Sequence, residues 1–282
     1  MCATCGCSGD ARIIDAAANT GAPPPAHPHS HSQAPPPSHG HMHPHSQGQE
    51  HPLSHGHRNP PSRTVMLEQK VLARNDEQAA KNRAWLAERD LVAVNLMSSP
   101  GSGKTTLLER TIRDLSARVQ VSVVEGDQET TFDAERIRAT GCPVVQINTG
   151  AGCHLDAEML ARALRTLDPP TSSVVFVENV GNLVCPALFD LGESARVVVM
   201  SVTEGADKPL KYPHMFRTAD VLLLNKTDLL PYVEFDMSRF REYMDKVNEW
   251  VQVIQVSATR GDGIHDWYAW LRERVRAGVA LK

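Results

Sequence analysis

The chain has 282 residues and a formal net charge of -4 at pH 7. This balance provides no basic surface for nucleic acid or for an anionic membrane, so we expect neither as a partner. No apolar run reaches membrane-spanning length and no signal-peptide pattern opens the sequence, which predicts a cytoplasmic location. In that reducing compartment the six cysteines are expected to be free, metal-bound or catalytic rather than disulfide-bonded.

The first 63 residues have a composition that does not support a folded core. They contain ten of the 13 histidines and eleven of the 19 prolines, with almost no aliphatic side chains. We therefore predict a disordered, histidine- and proline-rich tail over residues 1–63 and one folded domain over residues 64–282.

Three cysteines, Cys2, Cys5 and Cys7, stand at the start of this tail. Thiols at such short spacing can close on one metal ion without a fold, because the metal supplies the binding energy and the loop is short. The α-amino group of the first residue is a candidate fourth ligand. A redox pair is the disfavoured alternative, since its thiolate would need a folded helix beside it for activation.

The folded part begins with a helical pattern and continues with short apolar runs. Apolar spacing between Met66 and Asp90 predicts an amphipathic helix at the edge of the domain. Seven runs rich in β-branched residues follow: LVAVNLM, VQVSVVEG, PVVQINT, SSVVFVEN, ARVVVMSV, DVLLLNK and VQVIQVS. Because they are nearly continuous and several are separated by helical patterns, they predict a mainly parallel, doubly wound α/β sheet. Ligands of such folds bind at the carboxyl ends of the strands.

The first of these strands ends in SSPGSGKTT, residues 98–106, before an amphipathic helical pattern. In this context Gly101 and Gly103 let backbone N–H groups curl around phosphates at a helix N-terminus, which is typical of a P-loop. Lys104 is expected to meet the β and γ phosphates and Thr105 to bind Mg²⁺. Ser98 replaces the first glycine of the usual pattern. The predicted contacts to the nucleotide are Gly101, Ser102, Gly103, Lys104, Thr105 and Thr106.

A second nucleotide motif, LLLNKTD, follows a later strand. Asn225, Lys226 and Asp228 occupy the positions of a guanine-reading loop. A carboxylate accepts from both the N1–H and the exocyclic amine of guanine, so Asp228 predicts GTP rather than ATP and disfavours a kinase. One strand later, Ser257 and Ala258 are expected to close over the base, with a plain strand-to-loop junction as the alternative.

Two acidic strand ends, EGDQET and ENVGN, lie between these motifs. Asp127 is placed to reach Mg²⁺ or an attacking water, and Glu178 with Gly181 matches a γ-phosphate sensor, although the two roles are interchangeable. A helix cap or a solvated turn carboxylate is the alternative for Glu125 and, less so, for Asp127. The predicted catalytic residues are Lys104, Thr105, Asp127 and Glu178.

Soft metal ligands occur in two further loops. Cys153 and His154 stand together in GAGCHLDAE, and Cys185 follows Gly181 by four residues in NLVCPA. Thiolate and imidazole suit Ni²⁺, Zn²⁺ or Cu⁺, and both loops follow predicted strands on the nucleotide side. Such a site needs a fourth ligand from water, another side chain or a second subunit. Cys142 is interpreted as a buried structural cysteine.

The stretches CATCGC, SSPGSGKTT, EGDQET, GAGCHLDAE, ENVGNLVCP and LLLNKTD together resemble the hydrogenase nickel-incorporation GTPase family, HypB. The resemblance covers the G domain and the extreme N-terminus. It implies a GTPase that delivers Ni²⁺ to the large-subunit precursor of NiFe hydrogenase with a HypA-type partner. It also implies a homodimer driven by GTP, with an interfacial metal site at the positions of Cys153, His154 and Cys185.

The same resemblance implies a tight nickel site at Cys2, Cys5 and Cys7 and a nickel-storing role for the histidine tract. It places the dimer face within LLPYV, where Leu229 and Val233 are candidates and ordinary packing of the following turn is the alternative. Two other functions stay open: a nickel or zinc buffer, and a metallochaperone GTPase of the urease accessory type. The latter is disfavoured because it usually pairs its ligands as Cys-Pro-His and lacks the N-terminal cysteine motif.

Overall fold

The structure, a computed structural model, describes residues 12–14, 63–128 and 130–280. The N-terminal thiols Cys2, Cys5 and Cys7 and the histidine tract lie outside these ranges. The metal site predicted for them therefore stays a prediction, as does the boundary between tail and domain.

One sheet organises the described residues. Its strands are β1 (Arg12–Ile14), β2 (Val92–Ser98), β3 (Val121–Asp127), β4 (Val144–Asn148), β5 (Val174–Glu178), β6 (Ala195–Ser201), β7 (Val221–Asn225) and β8 (Gln252–Gln255). Their spatial order is β1-β4-β3-β5-β2-β6-β7-β8. The seven predicted runs are β2 to β8, and all of these pair in parallel, so the predicted fold class is confirmed.

Helices cover both faces of this sheet. They are α1 (Arg63–Glu88), α2 (Lys104–Leu115), α3 (Phe132–Arg138), α4 (Ala157–Leu167), α5 (Lys208–Lys211), α6 (Pro213–Arg217), α7 (Met237–Val247) and α8 (Ile264–Ala280). The helical patterns predicted from the sequence include none for α3, α5, α6 or α7; the first three of these have seven residues or fewer and give no sustained period. No helix in the described ranges combines the length and the apolar character needed to cross a bilayer.

The core has two sides because successive residues of a strand point to opposite faces of the sheet. Val94 and Leu96 of β2 pack with α2 and α8 in one cluster, in which Trp267 is fully buried. Ala93 and Met97 point the other way, into clusters that α1 and α4 cover on one half and α6 and α7 on the other. Strand β2 thus lies at the centre of the fold, and its carboxyl end opens between the two halves.

A short strand lies inside the range that composition assigned to the disordered tail. Arg12–Ile14 pairs antiparallel with the outer edge of β4, with Arg12 opposite Asn148 and Ile13 opposite Ile147. Two adjacent isoleucines suffice to add a strand to an exposed edge, although they are too few to alter an average over 63 residues. The average composition of residues 1–63 therefore does not reveal β1.

Helix α1 is tied to two loops by buried asparagines. Asn82 donates from Nδ2 to the carbonyl oxygens of Ala157 and Leu191, at 2.8 and 2.9 Å. Asn75 donates to the carbonyl oxygen of Asp190 and accepts from the backbone N–H of Ala157. Because Ala157 begins α4, the long helix fixes the start of α4 and the segment around Asp190 relative to each other.

Replacing Asn82 by alanine is expected to lower the free energy of unfolding by about 2 kcal/mol, because it removes two hydrogen bonds to buried carbonyl oxygens. Urea unfolding measures the change. The matched control is Glu77→Ala on the exposed side of the same helix, which should stay near the wild-type value. Equal stability of the two variants would contradict the structural role of Asn82.

Candidate functional site

The loop between β2 and α2 has the backbone shape of a phosphate-binding loop. Gly101 and Gly103 adopt φ angles of 75° and 92°, in the left-handed region where a side chain is disfavoured. A Cβ atom at Gly103 would lie 2.5 Å from Nδ2 of Asn225, so only glycine fits this contact. Thr105 is buried in the first turn of α2.

A cavity of about 550 Å³ opens over this loop. Its walls include residues 98–106, the end of β3 with Asp127, the α3 residues Asp133 and Arg136, and Gly181 after β5. Gly181 approaches the loop closely, since a Cβ atom there would lie 3.2 Å from the Cα atom of Pro100. The loops after β2, β3 and β5 thus converge on one polar cavity at the carboxyl edge of the sheet.

The predicted guanine-reading residues lie against the phosphate loop. Asn225 donates from Nδ2 to the carbonyl oxygen of Ser102 at 2.9 Å, and its Oδ1 accepts from the backbone N–H of Ala258 at 3.1 Å. The Lys226 ammonium donates to the carbonyl oxygen of Gly101 at 2.6 Å. The structure therefore brings the two nucleotide motifs together.

Asp228 is held by the later strand end. Its Oδ1 accepts a hydrogen bond from the Ser257 hydroxyl at 2.6 Å. This hydrogen bond restricts the orientation of the Asp228 carboxylate. This contact links Asp228 with Ser257, the residue that the sequence placed over the base.

Behind the phosphate loop, Lys104 and Thr105 both contact Glu178 at the end of β5. The Thr105 hydroxyl donates to Oε1 of Glu178 at 2.6 Å, and Nζ of Lys104 lies 3.2 Å from the same oxygen. Among the described residues, Oε2 of Glu178 is buried and has no hydrogen-bond partner. A hydroxyl beside an orphaned carboxylate oxygen is the hard-oxygen environment that Mg²⁺ prefers, so these residues fit the ion.

Glu125 contributes a second buried carboxylate, opposite Glu178 in the pairing of β3 with β5. It is 2% exposed, and its Oε2 also has no hydrogen-bond partner in the part of the chain that the structure describes. Burial, with the negative charges of Glu178 and Asp127, raises the pKa of Glu125 to about 9. The sequence-based alternatives for Glu125, a helix cap or a solvated turn residue, are wrong because Glu125 lies within β3, is buried and lines the cavity over the phosphate loop.

Replacing Glu125 by glutamine is expected to remove one source of pH dependence from the stability of the protein without nucleotide or Mg²⁺. Its pKa is raised from 4.5 to about 9, so the folded state keeps a proton that the unfolded chain releases in that window. The wild type therefore loses stability as the pH rises through the window. Between pH 5 and 8, the free energy of unfolding of the variant should rise relative to that of the wild type by about 1 kcal/mol per pH unit.

Urea unfolding at pH 5, 6.5 and 8 in a chelator measures this gap. Glu242→Gln, at an exposed position of α7, is the matched control and should follow the wild type. Parallel stability curves for the wild type and the Glu125 variant would contradict a raised pKa at that residue.

Asp127 lies at the rim of the cavity rather than beside Thr105. Its Oδ2 accepts from the backbone N–H and the hydroxyl of Thr130, at 2.7 and 2.8 Å. Of the two carboxylates whose roles the sequence left interchangeable, Glu178 thus contacts the phosphate loop directly. Asp127 is positioned by the turn that leads to α3.

Arg136 of α3 lines the same cavity and was not among the site residues predicted from the sequence. It donates to the Thr106 hydroxyl at 3.1 Å and to a carboxylate oxygen of Glu109 at 2.6 Å. The helix was missed because it spans only seven residues, and its arginine was missed with it. Arg136 places a positive charge beside the last residue of the phosphate loop.

The second cluster consists of Cys153, His154 and Cys185. One ligand atom from each lies within 4.8 Å of those of the other two. His154 is 6% exposed, and its ring stacks on Phe189 with centroids 3.9 Å apart. Burial lowers the pKa of His154, which favours the neutral imidazole that binds metal ions. The structure thus joins two loops that the sequence could not connect.

Local turns bring these ligands to the carboxyl edge of the sheet. After β4, the backbone N–H of Gly152 donates to the carbonyl oxygen of Thr149 at 2.8 Å, so the chain folds back before Cys153. Asp156 then caps α4 by accepting from the backbone N–H of Met159. Cys185 begins a short 3₁₀ helix, Cys185–Leu188, after the loop that follows β5.

Cys142 lies apart from this cluster. It is buried in the core, and burial raises the pKa of its thiol to about 12. A thiol held in its neutral form neither binds metal nor reacts readily. The interpretation of Cys142 as a structural cysteine is confirmed.

Comparison with known proteins agrees with this geometry. Residues 92–255 match the family model described as "CobW/HypB/UreG, nucleotide-binding domain". The chain is 56% identical over 221 residues to the hydrogenase maturation factor HypB of Azotobacter vinelandii, covering 78% of this chain and 72% of that protein.

Two solved structures are similar in fold. HypB from Archaeoglobus fulgidus has a TM-score of 0.67 and 40% identity, covering 72% of this chain and all of that chain. HypB from Helicobacter pylori in complex with nickel has a TM-score of 0.68 and 38% identity, covering 72% of this chain and 96% of that chain. The chain therefore belongs to the HypB family of hydrogenase maturation factors, within the CobW/HypB/UreG group of nucleotide-binding domains.

Proposed function

We propose that the chain is a GTP-hydrolysing nickel metallochaperone, which binds Ni²⁺ and inserts it into the large-subunit precursor of NiFe hydrogenase. Membership of the HypB family supports a role in hydrogenase maturation. The observation that carries the proposal is the cluster of Cys153, His154 and Cys185, which lies on the loops after β4 and β5. The nucleotide cavity is lined by the loops after β2, β3 and β5, so the two sites lie at the same edge of the sheet. A relative of similar fold is described in complex with nickel, which supports nickel as the cargo.

In this proposal the phosphate loop, residues 101–106, holds the phosphates of GTP. Lys104 leaves Glu178 to bind the β and γ phosphates, and Asp228 accepts two hydrogen bonds from guanine. Ser257 and Ala258 border the base, which their contacts to Asp228 and Asn225 support.

The proposal assigns Mg²⁺ to the oxygen ligands behind the phosphate loop. Thr105 and Glu178 would hold the ion, which supplies positive charge to phosphates that become more negative during hydrolysis. Asp127, on the turn toward α3, orients the attacking water. Glu178 and Gly181 respond to the γ phosphate, because both lie in the segment that backs onto the phosphate loop.

For the cargo, two thiolates and one neutral imidazole suit nickel, and zinc also binds such a set. A fourth ligand comes from water, another side chain or a second copy of the chain. Cys2, Cys5 and Cys7 form a separate nickel site in the tail. Binding of GTP favours a homodimer with the cluster at its interface and sets the geometry of the cluster, so nucleotide state and nickel affinity are coupled in both directions. The candidates for the dimer face are the half-buried Leu229 and Val233.

The proposal also includes two partner proteins and a location in the cell. A HypA-type chaperone exchanges nickel with this chain, and the hydrogenase precursor receives it. The proposed location is cytoplasmic, because the thiols must stay reduced to bind metal.

Radioactive nickel transfer tests this function. The full chain, loaded with ⁶³Ni and GTP, is mixed with a HypA-type partner and the hydrogenase large-subunit precursor, and nickel in the precursor is counted. We expect the double variant Cys153→Ser/Cys185→Ser to lose at least about nine-tenths of the transfer, because serine hydroxyls bind nickel weakly.

Cys142→Ser is the matched control, since Cys142 lies in the core and away from the cluster. Transfer at the wild-type rate by the double variant would contradict the metallochaperone role of the cluster. Unchanged transfer together with a lost tolerance to excess nickel would instead favour the buffering function.

A further inference from the structure

We propose that Asn179 and Leu155 form the mechanical link through which the nucleotide site sets the geometry of the metal cluster. This inference rests on the proposed function, because it names the route by which GTP acts on nickel. Neither residue carries chemistry that a sequence motif reveals. Both are fully buried between the nucleotide cavity and the cluster.

Asn179 connects the phosphate loop with the loop that carries Cys153 and His154. Its carbonyl oxygen accepts a hydrogen bond from Nζ of Lys104 at 2.6 Å. Its side-chain Oδ1 accepts from the backbone N–H of Leu155 at 3.1 Å, and Leu155 directly follows His154. The backbone of Asn179 therefore contacts Lys104, and its side chain contacts the loop that carries Cys153 and His154.

A second contact reaches Leu155 from the strand that ends in Asp127. A Cβ atom at Gly126 would lie 2.8 Å from the Leu155 side chain, so this leucine packs directly on the backbone between Glu125 and Asp127. Two of the three strand ends around the cavity thus contact the same residue, one by a hydrogen bond and one by packing.

The other metal ligand belongs to the same unit. Cys185 lies six residues after Asn179 along the chain, beyond Gly181, which backs onto Pro100. A shift of Asn179 therefore acts on the cluster from both sides: through the chain to Cys185 and through Leu155 to His154. Buried and closely packed segments transmit such shifts because they cannot absorb them by local rearrangement.

The nucleotide provides the shift. When Lys104 moves to the phosphates, the carbonyl oxygen of Asn179 loses its donor, and Glu178 loses its ion pair with the same lysine. The segment from Glu178 to Gly181 then loses its contacts with Lys104 but keeps the hydrogen bond from Asn179 to Leu155, so a shift of this segment reaches the metal loop. A ligand alters the equilibrium between two arrangements only through contacts that differ between them, and these contacts differ.

The test compares nickel affinity in two nucleotide states. In full chains with Cys2, Cys5 and Cys7 changed to serine and the ten histidines of residues 1–63 changed to alanine, the nickel dissociation constant is measured with Mg²⁺ and either GDP or a non-hydrolysable GTP analogue. We expect the two constants to differ at least about fivefold in this background, which is the lower range for coupled sites. Adding Asn179→Ala or Leu155→Ala should bring the ratio below about twofold while GTP-analogue binding is retained.

Matched controls separate the link from general destabilisation. Leu164→Ala removes an equally buried leucine from α4 without contact to Gly126, and Asn248→Ala removes an asparagine that holds backbone carbonyls elsewhere. Both should keep the ratio of the background. Leu155→Val is the milder variant if Leu155→Ala or Asn179→Ala does not fold, and it should reduce the ratio in part.

The outcomes distinguish the link from the function on which it rests. A ratio of one in the background chain would overturn the coupling in the proposed function and the link with it. A fivefold ratio that persists in every folded variant of Asn179 and Leu155 would leave the proposed function intact and overturn the link. If Leu164→Ala also abolished the difference between the two nickel dissociation constants, the link would be overturned as well, because general destabilisation would then explain the effect.

Discussion

Replacing Lys104 by alanine is expected to lower kcat/KM for GTP by about three orders of magnitude. In the proposed function, Lys104 is the cation that binds the β and γ phosphates, and its ammonium lies at the cavity against Glu178 and the carbonyl oxygen of Asn179. The variant loses this charge where the transition state is most negative. Phosphate release under single-turnover conditions measures the loss.

Lys211→Ala is the matched control for this experiment. Lys211 is exposed on α5 and paired with Asp207 at 2.6 Å, so its removal should leave hydrolysis unchanged. Hydrolysis by the Lys104 variant within tenfold of the wild type would contradict the role of the loop.

Replacing Asp228 by asparagine is expected to weaken GTP binding roughly 100-fold and to create binding of xanthosine triphosphate. In the proposed function the carboxylate accepts two N–H groups of guanine, and losing such a charge-assisted pair costs about 2–3 kcal/mol. Xanthine presents an oxygen where guanine has its amine, and an amide can donate to that oxygen. Titration with fluorescent analogues of both nucleotides measures the change.

Asp245→Asn, at an exposed position of α7, is the control and should bind GTP as the wild type does. The Ser257 hydroxyl orients the carboxylate at position 228, so Ser257→Ala should weaken GTP binding without favouring xanthosine triphosphate. Unchanged preference for GTP in the Asp228 variant would contradict base recognition at this residue.

The sheet was predictable from the sequence because its strands are buried on both faces and therefore read as continuous apolar runs. The phosphate loop and the guanine-reading motif were predictable for a related reason: their chemistry depends on glycine, lysine and aspartate at fixed spacing. β1 escaped the prediction because its pairing depends on the edge of β4, which no local pattern of three residues reveals.

The parts of the site that the sequence did not reveal are set by tertiary contacts. Glu125 reads as an ordinary strand-end carboxylate, and only its burial opposite Glu178 distinguishes it. Asn179 was quoted within a motif without a role, since its importance comes from contacts with Lys104 and Leu155. Cys185 likewise lies near Cys153 because of the order in which the strands pair, which no local sequence pattern reveals.

The most direct measurement of the central claim, that nucleotide state and nickel affinity are coupled, is a nickel and zinc titration of the purified chain with GDP and with a GTP analogue. Repeating it with Cys2, Cys5 and Cys7 changed to serine removes the thiol site of the tail, and changing the ten histidines of residues 1–63 to alanine as well isolates the cluster of Cys153, His154 and Cys185. The account predicts that the tightest nickel step disappears in the triple variant and that the remaining nickel affinity differs at least about fivefold between the two nucleotides. Identical affinities in the two nucleotide states would contradict it.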